Sequence, residues 1–219
     1  MMHTMKNKRA ILLLSGGIDS TTLLAKLSRE NYEIVAVSFS YNQKHEIEIK
    51  YAKQNAEKYH VKKHLIIQLD NALFKSSALV NREIDVATYE SSELPKGQIN
   101  AYVPFRNLLF LSSALSLAES MNINEVYLAV NSDDNVNFWD CKIDFIEKIN
   151  AITLSNTFIQ IKTPFIYMSK TEVVKLAQQL NVDLNETITC YQPSETIECG
   201  VCLSCITKQN AIENASHLN

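Results

Sequence analysis

The chain has 219 residues, of which 46% are hydrophobic, and this is enough to form a substantial core. We expect a single domain that spans 1–219 and includes any small appended segment. The net charge of −3 argues against a polyanion-binding surface, so we expect no nucleic-acid partner. No run of about 18 apolar residues occurs, and the apolar run 10–14 is too short for a signal-peptide core. We therefore expect a cytoplasmic protein with no membrane partner.

Segments of strand type and helix type alternate along the chain, which predicts an α/β fold. The sheet is expected to be open, mostly parallel and five-stranded, with helices on both of its faces. An irregular stretch, 71–100, is predicted to form a loop or a lid over a site. The predicted strands are 10–14, 33–39, 65–67, 126–130 and 158–161. The predicted helices are 19–27, 46–59, 106–121, 144–152 and 169–180, the last opening on the capping box Ser169-Lys-Thr-Glu172.

The turn Ser15-Gly-Gly-Ile-Asp-Ser20 follows the first strand and opens the first helix. Adjacent glycines let several backbone N–H groups point into one concavity, and the helix N-terminus adds positive potential. These features favour binding of an anion with several oxygens, such as pyrophosphate. Asp19 fits such a site if Mg²⁺ bridges it to the phosphates. A plain helix cap by Asp19 or Ser20 is the alternative. Further hydroxyl donors are supplied by Ser15, Ser20, Thr21 and Thr22.

Four cysteines lie near the C-terminus, three of them in a tight C-x2-C-x2-C run. Four thiolates satisfy one tetrahedral Zn²⁺ and leave no position open for water, so we expect a structural zinc in segment 186–215. A disulfide pair, inert buried thiols and redox chemistry at Cys202 and Cys205 are the alternatives. The expected ligands are Cys190, Cys199, Cys202 and Cys205.

A set of motifs spread over residues 9–215 carries a family resemblance. The motifs are Leu14-Ser-Gly-Gly-Ile-Asp-Ser-Thr-Thr22, Ser38-Phe-Ser-Tyr-Asn-Gln-Lys-His45, Tyr102-Val-Pro-Phe-Arg-Asn107, Val130-Asn131, Asp140-Cys141, Thr163-Pro-Phe165, Ser169-Lys-Thr-Glu172 and Thr189-Cys-Tyr191. Together with the cysteines they resemble the 7-cyano-7-deazaguanine synthases, a branch of the PP-loop ATP pyrophosphatases. The resemblance implies an adenine nucleotide alpha hydrolase-like fold. It also implies an ATP-dependent C–N ligase that converts 7-carboxy-7-deazaguanine and ammonia to the nitrile through carboxylate adenylation.

The resemblance further implies ATP with Mg²⁺ as co-substrate, one structural Zn²⁺ per chain, a homodimer, and roles for individual residues. Catalytic roles fall to Asp19, Arg106 and Lys170. Nucleotide binding falls to Leu14, Ser15, Gly16, Gly17, Ile18, Asp19, Ser20, Thr21, Thr22, Ser38, Arg106 and Asn107. Acceptor binding falls to Asn131, Asp140 and Cys141.

Each role has a simpler alternative. Arg106 is otherwise a solvated charge at a helix terminus, and Lys170 an ordinary solvent-facing charge. Cys141 is otherwise a small buried apolar residue. His45 follows the second strand, where it would approach the triphosphate, and is equally well a surface histidine.

Segment 134–142 lacks the Gly, Pro and Arg that the resembled family carries there, and Trp139 stands at the Pro position. Phe105 stands where Ala or Gly is usual. The second hypothesis is therefore an adenylating enzyme of the same family with another acceptor, such as a different carboxylate or a protein terminus. A third, a zinc-stapled RNA- or protein-binding module, predicts basic residues around the cysteines, where Lys208 alone lies. A tRNA thiolation enzyme would share the glycine turn, but it would need a reactive cysteine and an RNA-binding surface, which the sequence does not indicate.

Overall fold

A computed structural model describes residues 8–90 and 94–217. Both ends of the predicted 1–219 domain and three residues of the predicted lid therefore lie outside the described residues. The five strands form one sheet in the order β3-β2-β1-β4-β5, and all four strand pairs are parallel. The strands are β1 (Arg9–Leu13), β2 (Glu33–Ser40), β3 (Lys63–Gln68), β4 (Glu125–Tyr127) and β5 (Gln160–Lys162).

Helices cover both faces of the sheet, as the sequence predicts. Alternate residues of β1 point to opposite faces, so Ile11 belongs to one hydrophobic cluster and Leu12 to another. The first cluster includes residues of the helices at 106–120 and 143–156, and the second includes residues of the helices at 18–29, 48–58 and 170–179. No helix of the described residues combines the length and apolar character needed to cross a membrane. The helices are α1 (Ile18–Arg29), α2 (Glu48–Lys58), α3 (Arg106–Ser120), α4 (Ile143–Asn156), α5 (Lys170–Gln179) and α6 (Leu203–His217).

Three details differ from the sequence prediction. Helix α6 was not predicted, because it begins inside the cysteine run, whose residues were interpreted as metal ligands and not as a helical face. Strand β4 ends at Tyr127 and not at 130, since the backbone leaves the sheet after Leu128 N–H donates to Lys162. Strand β5 starts after Phe158, whose side chain is 85% exposed.

Segment 71–100 is mostly irregular, and a few of its described side chains pack into the core. Phe74, Leu79 and Val86 are buried in the cluster that contains α3. Thr88 forms a β-bridge with Cys202, and Tyr89 N–H donates to the Val201 carbonyl at 3.0 Å. The segment is therefore anchored to the cysteine region.

The strand order reverses between β1 and β4. The chain runs from β1 through β2 to β3 on one side, and then crosses to β4 and β5 on the other. Ligands of open parallel sheets bind in the crevice outside the carboxyl ends of the strands at such a switch point. The fold thus places the glycine turn, which follows β1, beside the loop that follows β4.

The glycine turn packs directly on the first turn of α2. Gly16 has φ +82°, and a Cβ added there would lie 2.5 Å from the Glu48 carbonyl oxygen and 2.7 Å from the Ala52 nitrogen. Its own carbonyl accepts from Ile188 N–H at 3.1 Å. No side chain fits at this position without moving α2, so the sequence requires glycine here.

We expect Gly16→Ala to lower the free energy of unfolding by about 2–5 kcal/mol, the sum of left-handed strain and overpacking. Gly97→Ala is the matched control, because Gly97 has φ +95° and open space around its Cβ position. This control should show the strain alone, about 1–2 kcal/mol. Urea unfolding of both variants measures the difference, and equal losses would contradict a tight contact between the turn and α2.

Candidate active site

A cavity of about 230 Å³ opens at the carboxyl ends of β1, β2 and β4. The glycine turn contributes Ser15, Gly17, Asp19 and Ser20, and the segment after β2 contributes Tyr41, His45 and Glu48. Helix α3 contributes Arg106, Asn107 and Phe110. The other lining residues with chemically active side chains are Asp134, Cys141, Lys170, Thr189, Tyr191 and Ser204. The site therefore brings together residues that are far apart in the sequence.

The serine hydroxyls of the glycine turn form hydrogen bonds within the turn. Ser15 N–H donates to Ser20 Oγ at 3.2 Å, and Ser20 Oγ donates to the Gly17 carbonyl at 3.2 Å. Gly17 is the N-cap of α1, and no side chain caps the helix. The alternative of a helix cap by Asp19 or Ser20 is therefore not what the structure shows. The first N–H groups of α1 have no partner within the helix, and this arrangement suits an anion.

Asp19 forms a buried ion pair with Lys170, whose Nζ lies 2.5 Å from Asp19 Oδ2. The Lys170 side chain is 9% exposed, so the solvent-facing alternative is wrong. The capping box at Ser169 starts α5 so that Lys170 is its first residue. Burial opposes the charged form, but attraction by Asp19 and Asp134 outweighs it and raises the pKa of Lys170.

Arg106 begins α3, and its guanidinium interacts with the buried hydroxyl of Tyr41. Burial works against the charge of Arg106, but Tyr41 and Asp140 hold its pKa above the ordinary value. Burial raises the pKa of Tyr41 to about 12. Arg106 is thus a permanent cation directed into the cavity and not a solvated helix-end charge.

Two residues that follow β2 bring a second polar group to the cavity. His45 is buried, which excludes the surface alternative, and its Nε2 lies 3.5 Å from Glu48 Oε2. Glu48 Oε1 accepts from Gln43 Nε2 at 3.0 Å. Burial lowers the pKa of His45 to about 3 and raises that of Glu48 to about 7.

The sequence prediction missed Glu48, because it lies at the start of a charged helix that was interpreted as surface-type. A signal was present, since Glu48 stands three residues after His45 in the segment that follows β2.

Of the predicted acceptor residues, Asp140 and Cys141 form hydrogen bonds with Asn107, and Asn131 forms them within its own loop. Asn107 N–H donates to Asp140 Oδ2 at 3.2 Å, and Asn107 Nδ2 donates to Cys141 Sγ at 3.3 Å. Asn131 Oδ1 accepts from the N–H of Asp133 at 2.9 Å and so shapes its own loop. Cys141 lines the cavity, as does Asn107 of the predicted nucleotide set, whereas Asn131 and Asp140 do not.

Several residues of the predicted nucleotide-binding set support the backbone around the cavity and do not line it. Ser38 Oγ donates to the Leu14 carbonyl at 2.5 Å and lies 2.7 Å from His64 Nε2, away from the cavity. Thr22 Oγ1 donates to the Ile18 carbonyl at 2.7 Å within α1. Residues of that set that do not line the cavity are Gly16, Ile18, Thr21, Thr22 and Ser38.

The four predicted metal ligands form one compact cluster, with all four Sγ atoms within 4.8 Å of one another. Cys199 Sγ and Cys205 Sγ are 3.9 Å apart, close to the spacing of about 3.8 Å that tetrahedral zinc–sulfur geometry requires. The backbone N–H groups of Cys199 and Gln192 donate to Cys190 Sγ at 3.2 and 3.4 Å, and such bonds stabilise a thiolate. Every cysteine is free, so the disulfide alternative is not realised.

The parallel sheet, the glycine turn at its switch point and the cysteine cluster together define an α/β protein of the PP-loop class. Residues 9–216 match the family model described as "Queuosine biosynthesis protein QueC". The chain therefore belongs to the QueC family.

Curated relatives include a 7-cyano-7-deazaguanine synthase from Rickettsia bellii, 38% identical over 94% of both chains. A second relative of that name, from Rickettsia felis, is 39% identical over 94% of this chain and 95% of its own. Among solved structures, the NMN synthetase from Francisella tularensis matches with a TM-score of 0.53 at 17% identity. That match covers 100% of this chain and 80% of the other, and it shows the fold alone.

The ion pair in the cavity gives a stability prediction. Lys170→Met leaves the Asp19 carboxylate buried without its counter-charge, so the free energy of unfolding should fall by about 3–5 kcal/mol. Adding Asp19→Asn should restore most of the loss, because the uncompensated charge is then gone. Urea unfolding of both single variants and of the double variant measures the coupling. Strict additivity of the two changes would contradict the pairing.

Proposed function

We propose that this protein converts 7-carboxy-7-deazaguanine and ammonia to 7-cyano-7-deazaguanine while consuming ATP. The observation that carries the proposal is the uncapped glycine turn, flanked by the cations Lys170 and Arg106, in a chain of the QueC family. A different acceptor is not favoured, because the relatives reported above bear the name of the nitrile-forming synthase.

The nucleotide polyphosphate is held by the turn in this proposal. Backbone N–H groups around Gly17 and at the start of α1 donate to the phosphate oxygens, and Lys170 and Arg106 neutralise charge. Asp19 Oδ1 is buried and has no hydrogen-bond partner within the described chain, which fits a carboxylate that receives an ATP-bound Mg²⁺. The metal would supply further charge neutralisation at the phosphates.

Activation of the carboxylate explains why ATP is needed. An oxygen of the acceptor carboxylate attacks the α-phosphorus, and pyrophosphate leaves. Ammonia then attacks the acyl carbon, AMP leaves with that oxygen, and the amide forms after loss of a proton. A second ATP adenylates the amide oxygen and releases pyrophosphate. AMP then departs with that oxygen while the nitrogen loses its two protons, and the nitrile remains. The site contributes chiefly position and charge: Arg106 faces the developing negative charge, and Asn107 orients the nucleotide.

The cysteine cluster is proposed to hold one structural Zn²⁺ through Cys190, Cys199, Cys202 and Cys205. Its four sulfurs leave no open coordination position, so the ion would brace the fold and take no part in the reaction. Cys190, Cys202 and Cys205 belong to the same hydrophobic cluster as β1 and α3, which supports one domain that includes segment 186–215. A homodimer and a cytoplasmic location are proposed with the family resemblance.

The activity is tested by incubating the purified protein with ATP, Mg²⁺, ammonia and 7-carboxy-7-deazaguanine and following products by mass spectrometry. We expect the nitrile together with AMP and pyrophosphate. Asp19→Ala should abolish ATP turnover and leave the metal content unchanged, because Asp19 does not belong to the cysteine cluster. ATP cleavage without nitrile would instead support another acceptor.

The zinc is tested with Cys202→Ser, which removes a fully buried ligand. We expect the metal content to fall and the melting temperature to drop by more than about 10 °C, since structural zinc contributes on the order of 10 kcal/mol. Cys141→Ser is the matched control, because Cys141 is also buried but lies outside the cluster. Metal analysis measures the zinc content and calorimetry the melting temperature. An unchanged zinc content in Cys202→Ser would refute Cys202 as a ligand.

A further inference from the structure

Glu48 is a carboxylate in the cavity to which the nucleotide and acceptor roles above assign nothing. Its side chain is 18% exposed and lines the cavity. Within the described residues no lysine or arginine forms an ion pair with it, and its near contacts are Gln43 and His45. A buried carboxylate in a cavity that receives anionic substrates costs free energy unless a ligand supplies donors to it.

We propose that Glu48 binds the acceptor ring through the ring N–H and the neighbouring 2-amino group. This proposal rests on the proposed function and names the residue that selects its substrate. A 7-deazaguanine ring presents these two donors side by side, and one carboxylate accepts both through its two oxygens. Oε1 accepts from Gln43 and keeps a free lone pair for the ring.

Gln43 holds the Glu48 carboxylate in position. Gln43 is buried, its Oε1 accepts from Tyr41 N–H at 2.8 Å, and its Nε2 donates to the Phe39 carbonyl at 3.1 Å as well as to Glu48. All of its polar atoms are thus used to fix one rotamer. The carboxylate is therefore preorganised, which lowers the entropy cost of binding a planar ligand.

The chemistry of the cavity favours this ligand over the other components of the reaction. Adenine presents an acceptor nitrogen beside its amino group, and the ionised form of Glu48 repels that nitrogen. Ammonium would sit close to the permanent cation Arg106, whose charge acts on Glu48. Asp134, another carboxylate in the cavity, accepts from Asn131 N–H at 3.1 Å and lies beside Asp19 and Lys170 at the phosphate end.

Two aromatic rings give the cavity a flat wall. Phe39 and Phe110 stack with centroids 3.9 Å apart and an interplanar angle of 4°, and both line the cavity. A planar heterocycle suits a wall of this kind, because its face gains dispersion and apolar burial while its edge keeps the hydrogen bonds. A site for a guanine-type ring needs an apolar wall against the face of the ring and a carboxylate at its hydrogen-bonding edge.

The test is isothermal titration of the metal-replete protein with 7-carboxy-7-deazaguanine and with the analogue that lacks the 2-amino group. The unmodified protein should prefer the amino compound by about 10-fold or more, because the analogue leaves one oxygen of the charged acceptor without its donor. Glu48→Gln should weaken binding of the amino compound about 10- to 100-fold and reduce the preference to about 2-fold or less. Glu57→Gln, an exposed change on the same helix, is the matched control and should bind as the unmodified protein does.

Steady-state kinetics separates the two proposals. If Glu48→Gln raises KM for the acceptor and leaves KM for ATP and ammonia unchanged, the assignment holds. A change confined to KM for ammonia would overturn it in favour of an ammonium site. A Glu48→Gln protein that folds normally and keeps the 2-amino preference overturns the assignment while nitrile synthesis stands. Absence of nitrile synthesis in the unmodified protein refutes the proposed function, and the binding preference then still decides the role of Glu48.

Discussion

The buried pair between Asp19 and Lys170 is the interaction on which the cavity depends. Asp19 comes from the helix after β1 and Lys170 from the helix after β5, so the pair joins two helices through residues that are 151 positions apart in the chain. An isolated carboxylate at an anion-binding turn would repel the ligand that the turn is shaped to receive. The ammonium of Lys170 cancels this charge while one oxygen of Asp19 keeps coordinating capacity. The ion pair therefore reconciles an acidic residue with a polyphosphate cradle, and it fixes the position of α5 beside α1.

Backbone contact imposes a second constraint. The turn at Gly16 has no space for a side chain, because the first turn of α2 lies directly against it. The same helix begins with Glu48, so close packing of turn and helix also fixes where Glu48 lies in the cavity relative to the turn. The cysteine region adds to this arrangement, since Ile188 N–H donates to the Gly16 carbonyl and Tyr191 lines the cavity. A metal that braces segment 186–215 would thus act on the shape of the cavity from a distance, without contacting the reactants.

Local sequence patterns predicted the parts of the molecule that local physics determines. Alternating apolar strands and amphipathic helices specified the α/β sheet, the capping box at Ser169 specified the start of α5, and cysteine spacing specified the cluster. The burial of His45 and Glu48 was not predictable in this way, since a charged segment near a strand end is also typical of a solvated helix. What decides their burial is the packing of α2 against the turn, a contact between elements that no window of sequence contains. Helix α6 was missed for a related reason, because its small and polar residues become a helix face only when α5 packs against them.

Phe105 and Trp139, two of the residues that depart from the family pattern, contact each other in the structure. Their rings meet edge to face with centroids 5.3 Å apart, and the Tyr102 hydroxyl accepts from both Trp139 Nε1 at 2.8 Å and Phe105 N–H at 3.1 Å. Phe105 has φ 51°, a left-handed conformation that costs a bulky residue about 1–2 kcal/mol, and the ring contact and hydrogen bond offset this cost. Arg106 follows at once, so the direction of its side chain depends on this aromatic contact. A substitution at 105 that looks damaging when considered alone is therefore one half of a pair, and its partner at 139 stabilises the strained turn that presents the cation to the cavity.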